Sequence, residues 1–86
     1  MKLDHRVSDY DFIRAMLRAG FRLTGTKTGY AVLEKGAVML LVPQVEALGE
    51  AQIAALLQTA NVQPRFFKAL LERLGSRDTV PERGEV

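Results

Sequence analysis

The chain has no cysteine, no tryptophan and a single histidine among its 86 residues. Without thiols there is neither a disulfide to staple the fold nor a thiolate to hold a metal, so a small domain must fold by packing alone. The lone His5 supplies no cluster with ligand spacing, and neither a metal nor any other cofactor is expected. Long apolar runs are also missing. None approaches the roughly 18–20 residues of a membrane span, and residues 1–6 lack the apolar centre of a signal peptide. A cytoplasmic chain with no membrane partner is the expectation.

Charge is scarce in one region and one-sided in another. Residues 36–64 contain no base, and Glu46 and Glu50 are their only charges. Between Phe12 and Lys35 the bases are Arg14, Arg18, Arg22, Lys27 and Lys35, opposed by Glu34 alone. The net charge is only +2, so the positive field belongs to the first helix and the start of the sheet. A solvated helix face and a contact with an anionic partner both fit such a field.

Ser8 opens the first helix, with Asp11 three positions on as a capping box and Val7 and Phe12 spaced as a hydrophobic staple. Phe12, Ile13, Met16 and Leu17 form its buried stripe, and Gly20 is its stop. Residues 21–24 alternate as a strand, residues 25–29 read as a turn, and residues 30–35 resume a strand. That second strand sets Tyr30 and Val32 on one face and Ala31 and Leu33 on the other. Gly36 turns the chain into residues 37–42, apolar on both faces. Such a run suits the interior of a sheet, and Pro43 ends it.

A second helix begins at Glu50 and stops at Asn61 in a left-handed conformation, with Val62 packing back on its last turn. Pro64 fits the first position of a third helix, carrying Phe66, Phe67, Leu70, Leu71 and Leu74 and ending at Gly75. Residues 76–86 turn polar and read as a disordered tail, leaving residues 1–75 as one domain. The expected fold is α+β, in the order α-β-β-β-α with an additional C-terminal helix. A three-stranded antiparallel sheet is covered by helices on one face.

Little of this carries chemistry. The two glycines at 25 and 29 are not a phosphate loop, because no Gly-Lys-Ser/Thr step comes after them and the next element is a strand. Tyr30, just after Gly29, has two open uses: a stacking platform for a base, or a packing partner for the first helix or a neighbouring strand. Arg22 and Lys27 are candidate phosphate contacts, with Arg14 and Arg18 beside them in sequence. Adjacent residues on a helix point about 100° apart, so one of Phe66 and Phe67 can be core while the other faces a partner or a second copy.

Residues 8–74 carry a resemblance. The helix ending in Gly20-Phe21, the Lys27-Thr28-Gly29-Tyr30 step, the Val42-Pro43 strand end and the helix closing at Ala60-Asn61-Val62 resemble the HicA-like toxins. The resemblance implies a double-stranded-RNA-binding-like fold and a metal-independent, mRNA-cleaving toxin held inactive by a HicB-type antitoxin. Where that family's Gly-Ser-His or Gly-Gly-His step carries the catalytic histidine, this chain has Thr28-Gly29-Tyr30. A second histidine common just after the Val-Pro pair is replaced by Gln44-Val45.

Cleavage through the 2′-hydroxyl needs a base near pKa 7, and losing one typically costs about 10²–10⁴-fold in rate. The residues therefore point to a HicA-like domain that binds RNA or a HicB-like antitoxin, with the ribonuclease step lost or much reduced. Arg14, Arg18, Arg22, Lys27 and Tyr30 would contact RNA, and Phe66 and Phe67 would serve a partner. Two alternatives stand beside it. One is an interaction or oligomerisation module unrelated to RNA, and the other is an active endoribonuclease with rearranged chemistry.

Overall fold

The computed structural model describes residues 6–79, with side chains as far as Leu74. Its elements are α1 (Asp9–Arg18), β1 (Arg22–Lys27), β2 (Tyr30–Lys35), β3 (Val38–Pro43), α2 (Glu50–Ala60) and α3 (Pro64–Thr79). This is the expected α+β order, and the sheet is antiparallel with strand order β1-β2-β3.

Helix ends obey the local chemistry. Ser8 Oγ accepts from the Asp11 N–H at 3.1 Å, so the cap forms, and Val7 and Phe12 are both buried in one cluster. At the other end of α1, Gly20 takes φ +103°, Phe21 N–H donates to Met16 O, and Gly20 N–H donates to Leu17 O. These two bonds define a Schellman closure, with Phe21 and Met16 buried against it. The Lys35 ammonium, reaching across from β2, donates to Ala19 O at 2.8 Å and so takes up one of the carbonyls left over at the helix end. Asn61 repeats the device for α2 at φ 60°, with Val62 N–H donating to Leu57 O at 2.9 Å. Before α2, Gln52 Oε1 accepts from the Gly49 N–H at 2.9 Å.

Helices α1 and α2 pack on one face of the sheet, and α3 packs on α1. Ala31 and Leu33 of β2 and Leu40 and Val42 of β3 join Phe12, Met16, Ile53, Leu57, Phe67 and Leu71 in a single core. Phe12 and Phe67 meet at its centre, with ring centroids 5.3 Å apart and tilted by 51°. The loop after β3 closes over the start of α1, where Leu48 N–H donates to Val7 O and Asp9 N–H to Val45 O.

Four features differ from the sequence expectation. β1 continues to Lys27, and the turn shrinks to Thr28 and Gly29, because a bulge between Leu23 and Gly25 absorbs one residue without ending the ladder. β3 is an edge strand rather than the interior one. Two successive hairpins make a meander, so the middle strand in sequence is also the middle strand in space. The third helix runs through Gly75 to Thr79, so residues 76–79 are helical and not part of a tail. Glycine costs a helix only about 1 kcal/mol, and the next residue that forbids continuation is Pro81. Finally, Phe67 is 0% exposed, a core residue withdrawn from any partner, whereas Phe66 is 50% exposed. Residues 80–86 and His5 lie outside the described residues.

Candidate functional site

Strand pairing fixes what the uncovered face of the sheet displays. Ala31 and Leu33 point into the helical core, so Tyr30, Val32 and Glu34 point the other way. Their partners on β3 are Pro43, Leu41 and Met39, and residues directly opposite one another share a face. On β1 the matching partners are Lys27 for Tyr30 and Arg22 for Glu34, with Gly25 opposite Val32.

The open face therefore has a definite composition. An apolar strip of Tyr30, Val32, Met39, Leu41 and Pro43 runs across β2 and β3, while Arg22 and Lys27 stand at the two ends of β1. Met39 is 54% exposed and Leu41 44%. Val32 is only 9% exposed yet lies outside the main core cluster, so it is the floor of this second, uncovered apolar surface. Thr24 donates to Glu34 Oε2 at 3.2 Å across the strand pair and holds that carboxylate at the rim.

Tyr30 begins β2 directly after the hairpin turn, where Gly29 takes φ +77°, a conformation costly for any residue with a Cβ. Its ring points away from α1, so the helix-packing use of Tyr30 is excluded and the cross-strand position beside Lys27 and Pro43 remains. The β3 end is tied to the same place, since Gln44 N–H donates to Gly29 O at 2.9 Å. Tyr30 and Gln44 thus sit at one corner of the sheet. Neither is an imidazole.

The run of bases seen in the sequence is divided by the fold. Arg14 and Arg18 belong to α1, in the helical layer on the far side of the sheet. The Arg14 guanidinium lies 5.3 Å from the Tyr10 ring centroid, and Arg18 occupies the last turn, where it complements the helix dipole. Lys35 caps α1 and stands 5.7 Å from the Phe21 ring centroid. Only Arg22 and Lys27 of the proposed phosphate contacts share a face with Tyr30. Phe66 is on α3, in the helical layer.

Two recesses lie away from Tyr30. One of about 210 Å³ is lined by Gly20, Arg22, Thr24, Glu34, Lys35 and Gly36. The other, about 360 Å³, runs along the α2–α3 junction from Ala54 to Pro64. Among the described residues there is no group of three or more His, Cys, Asp or Glu side chains able to hold a metal. Among them, too, no helix is long and apolar enough to cross a membrane.

Met39 and Leu41 were not legible as surface residues, because an apolar run gives no sign of which face is covered. The signal that locates them is the pair of short hairpin connections, which forces β3 to an edge.

Fold and site together define an α+β domain with one helical layer and one exposed, largely apolar sheet face. Comparison with protein-family models, curated proteins and solved structures finds no match for the chain.

Proposed function

We propose that this chain is a HicA-like domain that binds a protein partner of the HicB type on its open sheet face and has lost the ribonuclease step. The observation that carries the reading is the uncovered strip of Tyr30, Val32, Met39 and Leu41. A contiguous apolar surface of this kind is what a protein interface buries at its centre, with Arg22, Lys27 and Glu34 as a charged rim. Loss of cleavage rests on Tyr30, and on Gln44-Val45 after the Val-Pro pair, standing where the resemblance has histidine. With no imidazole at those positions, none of these residues is suited to take the 2′-hydroxyl proton.

The test has two steps: whether a HicB-type protein is encoded beside this gene, and whether that protein, once purified, binds this chain in calorimetry. Replacing Leu41 by Lys should weaken the complex at least about tenfold, because it sets a charge in the apolar centre of the interface. An unchanged affinity refutes the open face as the binding site.

A second reading has its own observation. Lys27 and Tyr30 are cross-strand neighbours on the open face, a phosphate contact beside a stacking ring. Single-stranded RNA bound there would lose affinity steeply with salt, by a slope of about 0.7 per phosphate neutralised, and Lys27→Ala would lower that slope by about one contact. Absence of RNA binding at low salt removes this reading and leaves the protein partner.

A further inference from the structure

The recess of about 210 Å³ lined by Gly20, Arg22, Thr24, Glu34, Lys35 and Gly36 stands apart from the apolar strip. It lies at the opposite end of the first hairpin from Tyr30, where α1 ends and β1 begins. Its volume is below the roughly 300–1,000 Å³ of a small-molecule pocket, so it suits one charged group rather than a whole metabolite. Three ionisable side chains line it, Arg22, Glu34 and Lys35.

Arg22 and Glu34 are cross-strand partners, yet the Glu34 carboxylate takes its bond from Thr24, and no described residue pairs with the Arg22 guanidinium. The five N–H donors of Arg22 are therefore open to a ligand. The Lys35 ammonium uses one donor on Ala19 O, at 2.8 Å, and keeps two. That bond fixes the ammonium in the wall and offsets the negative end of α1, which would otherwise repel an anion. Glycine at position 20 permits the approach, because a Cβ there would come within 3.1 Å of Lys35 Cε. Two positive charges against one negative suit the recess to a singly charged anion.

We infer that this recess binds a hydrogen phosphate group. Arg22 and Lys35 donate to its ionised oxygens, and Glu34, an acceptor only when ionised, accepts from its P–OH. The carboxylate decides the ligand. Facing a fully ionised anion such as sulfate it only repels, whereas facing hydrogen phosphate it completes a hydrogen bond. A nucleic-acid phosphodiester has no P–OH to offer, so this site is not an RNA backbone contact. It rests neither on the HicB-type partner nor on the RNA reading of the open face.

Titration of the isotope-labelled full chain with inorganic phosphate, followed by NMR, tests the inference. Resonances of Gly20, Gly36 and the Arg22 Nε–H should move. Phosphate should bind about tenfold more tightly than sulfate, the worth of one hydrogen bond to a charged group. Glu34→Gln should erase that preference, since an amide can donate to sulfate as well as accept from phosphate. Arg22→Gln should abolish binding of both anions, whereas Arg65→Ala, which removes an exposed charge from α3, should leave it unchanged. The same spectra show whether each variant is folded. Dimethyl phosphate, a diester, should not bind. Phenyl phosphate separates the two sources of the group: binding weaker than that of inorganic phosphate assigns the free ion, and equal or tighter binding assigns a monoester on a larger molecule. Equal affinity for phosphate and sulfate overturns the inference, as does a preference that survives Glu34→Gln. A loss in Arg65→Ala as large as that in Arg22→Gln, or a wild-type recess that does not respond to phosphate, also overturns it.

Discussion

The two faces of the sheet are made of similar residues and have different fates. Ala31, Leu33, Leu40 and Val42 lie in the core shared with the helical layer, while Tyr30, Val32, Met39 and Leu41 alternate with them on the same two strands and lie outside that cluster. Apolar character alone therefore does not mark the core of this domain. Coverage does, and the helices cover one face only. Side chains on the covered face stabilise the fold, and those on the open face are available for binding.

The sharpest way to break this comparison is a charge on each face. Leu40→Asp would bury an unpaired carboxylate in the core and should abolish cooperative unfolding, whereas Leu41→Asp should leave a folded chain. Circular dichroism melts of the two variants decide the matter, and equal damage would mean that the open face is part of the core.

Next in size is truncation. Leu33→Ala should cost about 2–5 kcal/mol in urea unfolding, through lost transfer energy and a cavity among well-packed neighbours. Val32→Ala, its neighbour on the uncovered side, should cost less, because it removes fewer carbons from a site outside the main core cluster.

A smaller effect separates scaffold from face at the hairpin. Gly29→Ala forces a Cβ into the left-handed region at φ +77° and should cost roughly 1 kcal/mol, read as a lower denaturation midpoint. Open space surrounds that position, so the cost is conformational rather than a clash.

The smallest stability effect belongs to Tyr30→Ala, expected within about 0.5–1 kcal/mol in the same measurement, since an exposed side chain loses few contacts. Its effect on binding should be larger than its effect on folding. A loss of stability that equals or exceeds the loss of affinity would make Tyr30 a structural residue.

Much of the architecture was legible because it is local. Ser8 as a cap, Gly20 and Asn61 as left-handed stops, Pro64 at a helix start and the opposite faces of Val32 and Leu33 all stem from short-range backbone and side-chain chemistry. What misled was also local. Gly25 looks like a turn until a bulge is allowed, and Gly75 looks like a stop although glycine only permits one. The candidate site was legible in part. The face of Tyr30 followed from alternation, but Lys27, expected in a turn, shares that face only through the observed cross-strand register, and Arg14 and Arg18 were separated from both by the sheet itself.

The sequence by itself determined where the helices begin and where the first two end, which residues alternate, and that no histidine stands in the Gly-Tyr step. Tertiary structure alone decided that β3 is an edge, that Phe67 is buried and Phe66 is not, and that one apolar face stays uncovered. The physical reason is range. Caps, turns and alternation are set by neighbours a few residues away, whereas coverage depends on where distant helices come to rest, and they rest on one side of this sheet.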